Sequence, residues 1–436
     1  MLKNTKYGMV TTDHMEMEWD IVEIKIGFSR RNITPHPGVE LGGYAGYRPC
    51  SGYHDPIWCK AMVLEQEDHR WALLSFDLLS IDESLSNRIA EAVTPVGIET
   101  VLCAAIHSHA TPCGIVLNEG PLAEVNRVAD TDPEGFSAYT EAVIENAAAA
   151  CQEAVSYLES FKVRAARGPA PIIGSERHTG EIMNLTMTAV QIQTQSGRTL
   201  MLYQIPCHPT VLGPENLLVS ADFVAGIEER LEADMAIFLN GAAGDISTRF
   251  TRKGQTFEEC DRMADIAADA LRDLIRNVPY DHPEPVKGLQ AHIPLQPKPV
   301  ESKENAQRAF EEAMARWKAG MDSGTEPGEL RILKSYVEGA GVALEFARTM
   351  KGIERLHLPV TVFTFCGMSF ATVPGEIFSS LWNLNAVPIC YTNGYYRYIA
   401  DRKAYELGYY ETMAAILAPG QGEVFLEQIN RLLKQL

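Results

Sequence analysis

Along the chain, paired apolar runs separated by a polar turn alternate with stretches whose apolar residues recur at helical spacing. "CKAMVLEQEDHRWALLSFDLL" (59–79) reads as strand, turn, strand, and "SLSNRIAEAV" (84–93) as a helix. The apolar run that follows ends in "AAIHSHATP" (104–112). The same order returns in "TMTAVQIQTQSGRTLMLYQIPCHPT" (186–210), "ADFVAGIEERLE" (221–232) and "MAIFLNGAAGD" (235–245). It returns again in "LPVTVFTFCGMSFATVPGEIFSSLW" (358–382), which is expected to pass into a short helix, and in "VPICYTNGYYRY" (387–398). Three hairpin–helix–strand units predict an α/β fold, with layered mixed β-sheets flanked by helices.

The remaining segments fill in this frame. "VEIKIGFSRRNITP" predicts a further strand, and residues 136–160 and 257–278 predict long amphipathic helices. Residues 302–352 read as two charged helices broken by "SGTEPG" (323–328), an inserted hairpin suited to be a cap, a lid or an interface arm in a homo-oligomer. "GVELGGYAGYRPCSGYHDP" (38–56) is a Gly- and Tyr-rich loop long enough to suggest function. Helix is expected again from about 402, broken at Pro419-Gly420. Residues 1–20 read as a loose arm ahead of one domain spanning 21–436.

Polar residues gather where the predicted strands stop. Asp77, His208 and Glu376 close the hairpins; His107 and His109, Asn240 to Asp245, and Asn393 to Tyr398 close the final strands. In open α/β sheets such ends form the ligand-binding rim, so the groups are expected to converge.

Composition narrows the function class. With 46% hydrophobic and 22% charged residues among 436, the chain can build a large ordinary core. A net charge of −19 without any Lys/Arg cluster disfavours nucleic acid and anionic membrane surfaces as partners. Nine irregularly spaced cysteines with no CxxC, and no apolar leader or 18-residue span, point to a reduced, cytoplasmic protein without stable membrane insertion.

In a strand, residues two apart share a face, so His107 and His109 are expected to project side by side, about 6–7 Å apart at Cα. Taken alone, H-x-H is a weak signal, and structural histidines are the commoner reading. With His208 after a second strand and Glu376 in a Pro-Gly bend, the set becomes two His and a Glu, the donor types of a catalytic zinc site with a position open for water. The tyrosines of 393–411 read as aromatic packing, as donors to an oxyanion, or as a metal ligand if a cation lowers a phenol pKa that is ordinarily about 10. Asp245 reads either as a turn cap, as support to the site, or as a ligand to another cation.

"GYAGY…HDPIWCKAMVLE", "IHSHATP", "CHPTVLGPENLLVSADF", "NGAAGDIS", "VPGE" and "NGYYRYIADRKAYELGYYE" occur in the order found in the neutral/alkaline non-lysosomal ceramidase family, which the chain resembles over residues 24–411. The resemblance implies a zinc-dependent amidase that cuts an N-acyl bond. It implies His107, His208, Glu376 and Tyr398 as zinc ligands, His109 beside the scissile carbonyl, Tyr410 on the oxyanion side, and Arg177 in "GSERHTG" lining the site. Full-length ceramidases are secreted or membrane-associated and carry a C-terminal β-sandwich, for which this chain shows neither signal nor room. A soluble small-molecule amide or ester is therefore the expected substrate rather than membrane ceramide. The alternatives are a metal-dependent hydrolase of esters, lactones or sugar derivatives, and a non-catalytic metal-binding protein.

Overall fold

The computed structural model describes residues 23–44, 46–116, 133–350 and 352–436; the expected arm at 1–20 lies outside them. Its secondary structure follows the apolar pattern closely. Strands β1 (Ile24–Asn32), β2 (Trp58–Gln66) and β3 (His69–Phe76) precede helix α1 (Glu83–Val93) and strand β4 (Thr100–Ala105). Helix α2 (Pro133–Ser156) leads into β5 (Glu159–Pro169), the hairpin β6 (Thr186–Thr194) and β7 (Thr199–Ile205), helix α3 (Phe223–Arg230), strand β8 (Met235–Asn240) and helix α4 (Phe257–Ile275). Asp82, Asp222 and Thr256 cap the N-termini of α1, α3 and α4 by accepting backbone amide hydrogens, so each helix starts where the sequence supplies an acceptor.

These strands form one eight-stranded sheet in the order β8-β7-β6-β5-β1-β2-β3-β4. Hairpin β2-β3 is joined in parallel to β4, and hairpin β6-β7 in parallel to β8, so the first two units lie at opposite edges. The third unit lies in a second sheet of β9 (Lys287–Leu295), β10 (Leu356–Phe365), β11 (Met368–Val373) and β12 (Val387–Cys390). Again the hairpin strand β11 runs parallel to the closing strand β12.

Strand alternation builds the layers. In β2, Cys59, Ala61 and Val63 pack with Cys151 and Ala154 of α2. Met62 and Leu64 point the other way, into a core shared with Phe363, Phe370, Val387 and Ile389 of the second sheet. In β8, Ala236 and Phe238 pack with Ala264 and Ala268 of α4, while Ile237 and Leu239 join the intersheet core. At Gly27 a Cβ would lie 1.9 Å from the Ala154 carbonyl oxygen, so only glycine lets α2 sit this close to β1.

Two expectations fail here. No helix follows β11: residues 374–386 run through a two-residue strand, Glu376–Ile377, and turns. Asp245 holds that turn open, accepting from Ser379 N at 2.6 Å, Ser379 Oγ at 2.9 Å and Ser380 N at 3.4 Å, which occupies amides a helix would use. Asp245 is thus a cap for a distant turn. Nor does Asp77 reach the rim. It accepts from Lys60 Nζ at 2.9 Å and Trp58 N at 2.8 Å beneath α3, where a lysine only 1% exposed needs counter-charge from it and from Glu228.

Helices α5 (Lys303–Asp322) and α6 (Pro327–Thr349) form the expected hairpin, inserted between the adjacent antiparallel strands β9 and β10. The C-terminal segment forms α7 (Arg402–Leu407), α8 (Tyr410–Ala414) and α9 (Gln421–Leu433); α6 packs on α8, and α9 on the second sheet. Among the described residues, no helix is long and apolar enough to cross a membrane.

Candidate metal centre

Strand β4 ends at Ala105, two residues before His107, so the two histidines do not alternate along a strand as expected. His107 has φ +70°, which turns the chain sharply and brings both rings together by a different route. The bend is over-determined: His107 N donates to the Leu78 carbonyl at 3.0 Å, and Asn240 Nδ2 donates to the Ile106 carbonyl at 3.1 Å. Tyr391, Asn393 and Arg397 also have positive φ, and they lie in the segment that packs against this bend. Such backbone strain concentrates at functional sites, where the surrounding structure holds it.

His107 Nδ1 faces the Leu79 carbonyl at 2.7 Å, and His208 Nδ1 faces the Ile246 carbonyl at 2.8 Å. A carbonyl only accepts, so both Nδ1 atoms carry the proton and both Nε2 atoms present lone pairs inward. Glu376 Oε2 lies 2.9 Å from His208 Nε2 and 3.5 Å from His107 Nε2. All three side chains are at most 2% exposed. Burial lowers the His208 pKa to about 4, so that ring is neutral at pH 7. Burial opposes ionisation of Glu376, whereas a proton on Nε2 of His107 or His208 would hold its carboxyl well below the usual range. A neutral His208 has one proton for two acceptors. Two imidazole lone pairs and a carboxylate converging at these distances therefore fit a divalent cation, the donor set zinc takes.

His109 Nε2 lies 3.4 Å from His107 Nε2, and burial first, then His107 and His208, push its pKa well below the usual value. Potential ligand atoms of His107, His109 and His208 lie within 4.8 Å of one another, so by distance alone the three histidines also make a cation site. His109 Nδ1 is buried without a hydrogen-bond partner among the described residues, unlike the anchored Nδ1 atoms of the other two.

The other expected residues assemble around this centre. Glu376 and Tyr398 are register partners in a two-stranded parallel ladder, which explains how residues 22 apart in sequence meet. Arg177 Nη1 donates to Tyr398 Oη at 3.2 Å and to the Gly244 carbonyl at 3.2 Å. Its guanidinium lies 5.4 Å from the Tyr410 ring centroid and 3.5 Å from Glu411 Oε1. Burial disfavours that charge, but Tyr410, Tyr398 and Glu411 outweigh burial and hold the pKa well above its usual value. Burial raises Tyr410 to about 12 and Tyr398 well above 10, so both phenols keep their protons in the absence of a cation. His107, His109, Arg177, Glu376, Tyr398 and Tyr410 line one cleft of about 860 Å³. Arg331, Ile332 and Val342 of α6 close its side, so the inserted hairpin is a wall of the site.

Several contributors carried no sequence signal of their own. Tyr395 Oη donates to Glu376 Oε1 at 2.5 Å, and Tyr391 stacks on His107 at 4.1 Å between centroids. Glu411 anchors Arg177 and also meets His178 Nε2 at 3.0 Å. Arg48, 5% exposed, donates to the carbonyls of Gly42, His109, Pro214 and Asn216, stitching the Gly-rich loop to the two histidine loops. The signal for these residues was density of Tyr and Arg in loops beside the motifs, which does not say which ring faces inward.

Two outcomes follow from this supporting layer. Tyr395→Phe removes one hydrogen bond to Glu376 and is expected to weaken metal affinity about 10- to 100-fold, read by competition with a chelating dye. At Gly43, φ is +87° and an added Cβ would lie 2.4 Å from His109 Cγ. Gly43→Ala is therefore expected to displace His109 and lower turnover about 10-fold or more, since small misplacements are costly, while metal content stays at the wild-type level.

No protein-family model and no curated protein matches the sequence. Solved structures do match in fold. The neutral ceramidase of Pseudomonas aeruginosa superposes with a TM-score of 0.71 at 15% identity, covering 95% of this chain and 74% of that one. A ceramidase complexed with C2 superposes with a TM-score of 0.70 at 14% identity, covering 95% and 76%. The chain therefore has the ceramidase-like fold that the motif order implied.

Proposed function

We propose that the protein is a zinc-dependent hydrolase that cleaves an amide, N-acyl bond in a soluble small molecule. The observation that carries this reading is the convergence of His107 and Glu376 with His109, Arg177 and Tyr410 in a single cleft, with His208 meeting Glu376 from behind its wall. The ceramidase-like fold supports the amide as the bond broken. The cleft, of about 860 Å³, is of small-molecule size.

His107, His208 and Glu376 would hold the cation, with Tyr398 as a fourth ligand once the cation lowers its pKa. Zinc so held acidifies water and polarises a carbonyl. The protein's own groups do the rest. Arg177 and the protonated Tyr410 face the cleft together and stabilise negative charge developing on the carbonyl oxygen. His109, neutral and unanchored, accepts a proton from the attacking water and returns it to the leaving nitrogen. The test is turnover of matched amides and esters with metal content measured alongside. Release of free amine from a soluble N-acyl compound, with about one zinc per chain, is the expected result. Acid released from esters alone would favour the esterase reading, and an active metal-free protein would sink both.

A further inference from the structure

The cleft carries a charge opposite to that of the chain. The protein has a net charge of −19, yet among the described residues five arginines line the cleft (Arg177, Arg249, Arg252, Arg331 and Arg397) against two carboxylates, Glu338 and Glu376. Arg177 is offset by Glu411, and Arg331 by Glu338, whose two oxygens its Nη1 meets at 3.1 Å. Arg249 and Arg252 have no carboxylate partner among the described residues. Arg249 Nη1 donates to the Arg177 carbonyl at 3.0 Å, and Arg252 Nη1 donates to the Thr210 carbonyl and, at 3.4 Å, to Thr248 Oγ1.

A guanidinium has five N–H groups in a planar fork. At both residues only Nη1 is engaged, so Nε and Nη2 have no protein acceptor among the described residues. Both side chains are half-buried, where an uncompensated cation is costly. Burial lowers the pKa of each, and the charge of Arg331 lowers both further, so these cations share one neighbourhood. They sit just beyond Ser247, whose strand bridges His208, so the cationic wall begins one step from the metal centre. Tyr44, Phe250, Ile332 and Val342 supply apolar surface in the same cleft.

We propose that Arg249 and Arg252, with Arg331 opposite, bind an oxyanion on the substrate, which is therefore an amide with an apolar acyl part and a carboxylate or phosphate on the other part. The planar fork pairs two N–H groups with two oxygens of such a group. The assignment of an amide rests on the proposed hydrolase activity; the oxyanion site does not.

Three probes share an acyl chain: N-octanoylglycine, N-octanoyl phosphoethanolamine and the neutral N-octanoylethanolamine. Binding by calorimetry and kcat/KM are measured for each on the zinc-loaded full chain. At least one anionic probe is expected to bind about 10-fold more tightly than the neutral one, with an affinity that falls as salt rises. Which anion leads separates carboxylate from phosphate. Arg252→Gln and Arg249→Gln are each expected to cut that preference about 10-fold, and Arg252→Lys to restore only part of it. Each variant is read by the ratio of anionic to neutral binding, so a general loss of stability does not mimic the result. Equal binding of all three probes overturns the proposal, even if the neutral amide is hydrolysed and the hydrolase reading stands. Preferential anion binding with no hydrolysis of any probe leaves the oxyanion site standing and removes the amidase.

Discussion

His107→Ala is expected to abolish zinc binding and, with it, activity. The ring is 2% exposed, its Nδ1 proton is committed to the Leu79 carbonyl, and its Nε2 faces Glu376 at 3.5 Å. Alanine leaves one imidazole, one carboxylate and the Tyr398 phenol, which becomes a ligand only once a held cation lowers its pKa, too weak a set for a stable catalytic site. Without the metal a water nucleophile returns from a pKa of about 7 toward about 15.7, so turnover should fall by on the order of 1,000-fold or more. Metal analysis by mass spectrometry and turnover under zinc-saturating conditions check this. A thermal melt run in parallel separates metal loss from unfolding, because removing a buried ring also leaves a cavity costing about 2–4 kcal/mol. A folded variant with full zinc would remove His107 from the ligand set.

His109→Ala is expected to do the reverse: zinc stays and the rate falls about 100- to 10,000-fold, the range for losing a positioned general acid–base. His109 is within 3.4 Å of His107, and distance alone cannot assign their roles. The difference lies one bond further out. His107 and His208 are each oriented by a backbone carbonyl on Nδ1, the arrangement that presets a metal ligand, whereas His109 Nδ1 has no partner among the described residues. If His109→Ala loses zinc as His107→Ala does, the site is a three-histidine one and the proton-transfer role must pass to another group.

The apolar pattern carried the architecture because strand and helix periods are local properties of the chain. The hairpins, the long helices and the inserted pair at 303–349 all appear where the spacing predicted them. The missing third helix was not legible, since Ser379 and Ser380 are tied by Asp245, which lies 134 residues away in sequence from the first of them. Asp77 misled for a similar reason: a carboxylate at a strand end looks available until its buried Lys60 partner is known.

The candidate centre divides along the same line. His107, His109, His208, Glu376, Tyr398, Tyr410 and Arg177 were named from short motifs, and one cleft gathers them, with His208 behind its wall. What chain order alone determined was the kind of chemistry: imidazoles and a carboxylate after apolar strands, in the order of a known family. What only tertiary structure decided was orientation and company. The left-handed bend at His107, the Glu376–Tyr398 ladder, the Tyr395 hydrogen bond and the placing of Arg249 and Arg252 with no carboxylate partner among the described residues all depend on contacts between segments far apart in sequence. Periodicity tells a residue which face it occupies, but not which distant group will share that face.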